Sequence, residues 1–275
     1  MDSTLAKGLA VLDWLARQPE GAGVSDVARA FALPRSSAHR TLRTLLDCGF
    51  ARQDGASSGY RASLRLLELG TLVGAADNVP ARVRAHLRAL AEASGETIHL
   101  ACLDGAEIVY LDKFDSPLPV AAYSRVGGRA PAYCVASGKA LLATVPHDAA
   151  TLRALFADGL EAHTPNSITD IDRLVAELDR TAARGWAENR EEWRLGVSGL
   201  GAPVFDARGV AVVAVGMSVP SIRFGRTRAR DLAQSVLACA RDASAELGLR
   251  PQTEPLVAAA PRGPRAASHR KRRHP

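Results

Sequence analysis

Apolar residues recur at helical spacing near the start of the chain: Val24, Val27, Ala28 and Phe31 fall at i, i+3, i+4 and i+7 and form one stripe. Pro34 closes that run, because a proline pushes the residue before it out of the α region. Ser36 stands where it can cap a second helix by accepting a bond from an early backbone amide. In that helix Ala38, Leu42 and Leu45 share one face, while Ser36, Arg40 and Arg43 lie opposite, flanked by Ser37, His39 and Thr44. Leu5, Leu9 and Leu12 supply an earlier helix, and residues 51–53 and 60–62 flank a turn-rich, glycine-containing stretch that reads as a β-hairpin. Helix, helix, helix, hairpin is the order of a winged helix-turn-helix. A helix buried on one side and lined with Arg, Ser and His on the other suits the major groove, where Arg bonds guanine bidentately and hydroxyls reach phosphates or base edges. The residues assigned to double-stranded DNA are Arg35, Ser36, Ser37, His39, Arg40 and Arg43 on the second helix of the pair, with Arg52 and Arg61, and the turn serines Ser57 and Ser58, on the wing. A helical hairpin with a solvated arginine face fits the same periodicity.

Further along, Leu64, Leu66, Leu67, Leu69, Leu72 and Val73 mark a helix ending near Gly74, and Val83, Leu87, Leu90 and Ala91 mark another closed by Gly95. The pattern then changes to strands over 97–103, 107–111 and 118–123, the first two joined by the hairpin signal Asp104-Gly105. Helices follow near 138–145, 149–157 and 170–184, then strands over 199–205 and 210–219 and a last helix over about 227–247. Hairpins, helices, hairpins and a helix describe an α+β domain on an antiparallel sheet. The expected division is residues 1–63 as the DNA-binding domain, 64–78 as a linker helix, 79–249 as a second domain and 250–275 as a basic tail without order, whose Ala/Pro/Arg composition lacks periodicity.

Bulk charge changes this picture less than its value suggests. Seven of the 35 Lys and Arg and one of the 29 acids lie in residues 250–275, leaving 28 of each sign in 1–249, so the +6 belongs to the tail. The basic argument is local: no acid stands between Asp26 and Asp47, while Arg29, Arg35, Arg40 and Arg43 do. The Arg270–Arg273 cluster is either a solvated tail or a source of non-specific phosphate affinity. No long apolar run indicates a membrane span and no secretory signal opens the chain, so a cytoplasmic protein is expected. Cys48, Cys102, Cys134 and Cys239 have no metal-ligand spacing, and neither a metal nor a cofactor is expected.

The second half yields no catalytic constellation. Ser137-Gly138-Lys139 resembles the end of a phosphate loop, but Tyr133 stands where that loop needs a glycine. Residues 196–200 miss the nucleophile-elbow spacing by one position. His99, His147 and His163 are dispersed and read as surface or hydrogen-bonded histidines, and Glu191 and Glu192 as solvated acids. Residues 126–131 read as a flexible basic turn, and Trp186 and Trp193 either line a small-molecule pocket or fill a core. No enzyme is expected. The remaining alternatives are a small-molecule enzyme with a helical accessory domain and a sensing module that meets protein rather than DNA.

Three segments, LPRSSAHRTLRTLLDCGFA (33–51), GGRAPAYCVASGKALLA (127–143) and ENREEWRLGVSGLGAPVFDARGVAVVAVGMSVP (188–220), resemble the IclR family of bacterial transcriptional regulators. The resemblance implies a winged helix-turn-helix followed by a GAF-like effector-binding domain. It further implies homodimers or dimers of dimers on operator DNA, acting as repressor or activator of catabolic genes in response to a small organic or aromatic acid. Carried over by position, it assigns the effector site to Gly128, Arg129, Asn189, Gly199 and Ser218. Members of the family often carry serines two apart on the last strand, where this chain has Gly216 and Ser218, and some carry a cysteine where it has Gly199. The loss of donors implies a larger or less polar ligand, with Arg129 as the partner of its carboxylate.

Overall fold

The computed structural model describes residues 3–53, 59–74, 78–121 and 124–249. These fall into two compact units, Met1–Val79 and Pro80–Pro275. In the first, helices α1 (Ser3–Ala16), α2 (Val24–Ala30) and α3 (Arg35–Asp47) precede strands β1 (Ala51–Gln53) and β2 (Tyr60–Ala62), and α4 (Arg65–Gly74) follows. Val11 and Leu15 of α1, Val27 of α2, and Ala38, Leu42 and Leu45 of α3 close on Ala51 and Tyr60 as one apolar cluster. Val24, Ala28 and Phe31 pack against it, as the stripe predicts, with Phe31 edge-on to Trp14. The first helix is present, but it is held by Val11, Leu12 and Leu15, and Leu5 and Leu9 are exposed. Ala22 bridges to Tyr60, which adds a single-residue third strand to the wing. The expected cap on α3 is not made by Ser36. The helix starts two residues earlier, with Pro34 at the cap position and its carbonyl accepting the Ser37 amide, so Ser36 lies in the first turn with its side chain exposed.

The second unit contains α5 (Val79–Ser94), β3 (Thr97–Asp104), β4 (Glu107–Phe114), β5 (Arg129–Pro131), α6 (Ala136–Leu142), α7 (Ala149–Leu155), α8 (Ile171–Arg184), β6 (Ala187–Arg190), β7 (Val197–Phe205), β8 (Ala211–Pro220) and α9 (Arg226–Glu246). The six strands form one antiparallel sheet in the order β5-β4-β3-β8-β7-β6. No strand forms over residues 118–121, so the third expected strand is displaced to Arg129–Pro131, within the stretch read as a flexible turn. Residues 187–190, whose acids and asparagine hide any alternation, form the edge strand β6. Asp170 caps α8 through the Arg173 amide, and Gly185 ends it at φ 78°, a left-handed turn that costs glycine no steric penalty. Helix α9 lies across β7 and β8 on one face of the sheet; α6 lies on the other, backed by α8. Strand β7 outruns β6 at its far end, where Pro203 has no amide hydrogen and the Phe205 amide donates to Ser244 Oγ. Among the described residues no helix is long and apolar enough to cross a membrane. The hairpin tip with Ser57 and Ser58, residues 75–77 of the expected linker and the basic tail lie outside the described residues.

Candidate DNA-binding face and effector site

The outward face of α3 is built by anchoring the other one. Ala38 and Leu42 are wholly buried and Leu45 nearly so, which fixes the helix rotation and turns Arg35, Ser36, His39, Arg40 and Arg43 to solvent. Ser37 is half-buried at the edge of that face. Arg43 pairs with Asp47 one turn on at 3.0 Å; with both side chains more than half exposed this is a weak restraint that a phosphate can displace. On the wing Arg52 and Arg61 stand directly opposite each other across β1 and β2. Arg52 is exposed. Arg61 is partly buried: its guanidinium donates to the Pro19 carbonyl at 2.9 Å and lies 3.8 Å from Glu20, bracing the wing against the α1–α2 connection.

In the second unit the residues that the resemblance assigns to an effector separate into two places. Asn189, Gly199 and Ser218 form one rung across β6, β7 and β8, continued by Thr97 on β3. The next rung on the same face is Ala187, Gly201, Gly216 and His99. Helix α6 presses onto this floor so closely that a Cβ on Gly201 would stand 2.6 Å from the Ala136 carbon and the Ser137 nitrogen, so glycine there is what lets the helix approach. Asn189 is buried and its Oδ1 accepts the Glu192 amide at 2.8 Å. Gly128 and Arg129 do not belong to this floor. Gly128 completes a turn: its amide donates to the Arg125 carbonyl and its carbonyl accepts the Tyr110 amide. Arg129 points outward from β5 and is taken by two acids, Glu107 at 3.0 Å and Asp104, which hold its pKa above the ordinary guanidinium value.

His99 corrects two expectations at once. It is buried with its Nδ1 unpartnered, where a surface or hydrogen-bonded position was expected, and it fills the space above Gly216, where a Cβ would lie 2.2 Å from its Nε2. Gly216 therefore opens no room for a larger ligand. Gly199 opens none either, since a Cβ there would meet the Met217 carbonyl oxygen at 2.8 Å. The imidazole stands edge-on to Tyr110 with ring centroids 4.9 Å apart. Burial lowers its pKa to about 4, so it is neutral near pH 7, and raises that of Tyr110 to about 12. His99 Nδ1 and, on α6, Ser137 Oγ are buried polar atoms without a hydrogen-bond partner. Beside the floor Lys139 is wholly buried and its Nζ donates to both carboxylate oxygens of Glu192, at 2.7 and 2.8 Å. Glu192, read as a solvated acid, is thus the counter-ion of a buried lysine, and Ser167 and Thr164 hold its carbonyl and that of Glu191. Trp193 packs against the core and edge-on to His163, and Trp186 lies under the Arg184 guanidinium.

Two family models match the chain: the IclR helix-turn-helix domain over residues 4–55 and the bacterial transcriptional regulator IclR C-terminal domain over residues 74–245. The chain belongs to the IclR family. It is 32% identical to the HTH-type transcriptional regulator KdgR of Escherichia coli K12, over 90% of this chain and 93% of that protein. It is 34% identical to the glycerol operon regulatory protein of Streptomyces coelicolor, over 89% of this chain and 96% of that one. The Thermotoga maritima IclR crystal structure superposes with a TM-score of 0.73 at 30% identity, covering 90% of this chain and all of that one. The chain is accordingly a transcriptional regulator with a helix-turn-helix and an effector-binding C-terminal domain. In this IclR-family chain His99 and Ser137 are the floor residues that one-dimensional reading missed. Only the register that sets His99 against Gly216, and the contact of α6 with Gly201, bring them together.

Proposed function

We propose that α3 enters the major groove of a palindromic operator through Arg35, Ser36, Ser37, His39, Arg40 and Arg43, with Arg52 beside the backbone. We further propose that a small organic or aromatic acid, bound on the floor formed by Asn189, Gly199, Ser218, His99 and Ser137, alters that binding. The observation that carries the reading is the two-sidedness of α3, in which Ala38, Leu42 and Leu45 are sunk in the core and the basic and hydroxyl side chains are exposed. In the effector unit a carboxylate supplies what the floor lacks: it accepts from the Ser137 hydroxyl and from the Nδ1–H of neutral His99, each buried without a partner. Arg129, engaged with Asp104 and Glu107, is left out of ligand recognition. The chain acts in the cytoplasm as a homodimer or a dimer of dimers; large exposed apolar side chains in the first unit, Leu9, Leu64 and Leu72, suit a face shared between copies.

The test is a mobility shift of the DNA flanking the protein's own gene, repeated with a panel of aromatic and aliphatic acids. A shifted band that one acid releases or tightens is expected, and Arg40→Ala weakens binding by about 1–3 kcal/mol, most at one base position. No shift with any flanking fragment overturns the DNA reading. A shift indifferent to every acid overturns the ligand class.

A further inference from the structure

Beyond the start of β6, at the margin of the sheet, the second unit holds a cavity. Its volume is about 780 Å³, within the range of small-molecule sites, and it lies between α6, α8, α9 and the last residues of β7. Its walls are largely apolar: Ala140 from α6 and Ala143 just after it, Pro203 and Phe205 from β7, and Leu237 and Ala240 from α9. Three hydroxyls line it. Thr144 donates to the Leu141 carbonyl, and Ser244 donates to the Ala240 carbonyl while accepting the Phe205 amide. Thr181, on α8, differs from both. It is 2% exposed and its Oγ1 has no hydrogen-bond partner. A buried hydroxyl without a partner destabilises the empty protein, and its retention calls for an explanation.

The charges nearby do not select an ion. Arg184 is held by the Trp186 carbonyl and by Glu177, and at the rim exposed Arg241 and Asp242 stand side by side with opposite signs. We propose that this cavity is a second ligand site, separate from the effector floor, for an uncharged and mainly apolar molecule of about two fused rings whose single hydroxyl or carbonyl pairs with Thr181. The two sites share α6: its first residues abut Gly201 on the floor and its later ones line the cavity.

The probe is 2-naphthol, titrated calorimetrically into the full-length protein, with 2-naphthoate as the charged comparison. Saturable binding of one 2-naphthol per chain is expected, and weaker binding of 2-naphthoate by at least tenfold. Thr181→Val keeps the shape and removes the hydroxyl. It raises the melting temperature of the ligand-free protein and lowers 2-naphthol affinity about fivefold, the size of one ordinary hydrogen bond. Ala143→Phe fills the cavity and abolishes binding, whereas Ser218→Leu, which obstructs the effector floor, leaves it unchanged. Absence of saturable binding, equal affinity in the Thr181→Val protein, or loss of binding in Ser218→Leu overturns the second site, and equal affinity for 2-naphthoate overturns its ligand class. None of these outcomes bears on whether an acid binds the floor, so the two assignments stand or fall separately.

Discussion

The outer face of α3 and the floor under α6, the two surfaces proposed for recognition, are made by opposite means. The first is made by addition: side chains three and four residues apart project from one helix, and their charge and hydroxyls do the work. The second is made largely by subtraction. Gly199, Gly201 and Gly216 remove side chains so that α6 and His99 can approach, and the polar atoms that remain are buried. An exposed charge can be lost without harm to the fold, whereas a floor of this kind is built into the core, so ligand recognition and stability draw on the same atoms.

The sharpest break between the two regions is expected at Lys139. Lys139→Met leaves Glu192 buried without its cation and costs about 3–5 kcal/mol in urea unfolding, whereas Lys139→Met combined with Glu192→Leu regains most of it. A loss below 1 kcal/mol would mean that the pair is as dispensable as Arg43–Asp47 on α3.

His99 gives a smaller, pH-dependent effect. The unfolded chain binds a proton on this imidazole near pH 6.5, the folded one not until about pH 4. Above pH 6.5 both states are neutral there and no penalty arises; as pH falls the unfolded state gains the proton first, so stability declines, by about 2–3 kcal/mol at pH 4.5. His99→Asn flattens that part of the stability profile, and identical slopes in the two proteins would contradict the assignment.

The smallest effect belongs to Arg129→Ala. Its ion pairs are about half exposed, and their loss is expected to cost less than about 1 kcal/mol. The acid concentration that alters operator binding should stay within twofold. A tenfold change would bring Arg129 back into ligand recognition and count against the floor as the whole site.

How much of this was legible along the chain follows from the range of the interactions. The stripe Val24, Val27, Ala28, Phe31 and the anchor Ala38, Leu42, Leu45 are local, and their periodicity reports burial directly. The helix cap failed as an expectation because Pro34, with its fixed backbone, can begin α3 without a side-chain cap, which leaves Ser36 two residues past the cap position. Strand β5 was missed because three residues rich in Gly, Arg and Pro neighbours carry no alternation; the pairing with β4 makes it a strand. His99 meets Gly216, α6 meets Gly201 and Lys139 meets Glu192 only across long separations in sequence, and a lone histidine or acid carries no mark of what will bury it. Family resemblance brought Asn189, Gly199 and Ser218 to one rung, yet it also carried over Arg129, which in this chain is bound to its own hairpin.

The ends of the six-stranded sheet bear on how copies of the chain can meet. At one edge β5 is three residues long and finishes at Pro131; at the other, the part of β7 that outruns β6 contains Pro203 and gives the Phe205 amide to Ser244. These interruptions shorten the ladder of donors that either margin can offer a stranger's backbone, which makes the sheet a poorer template for runaway growth.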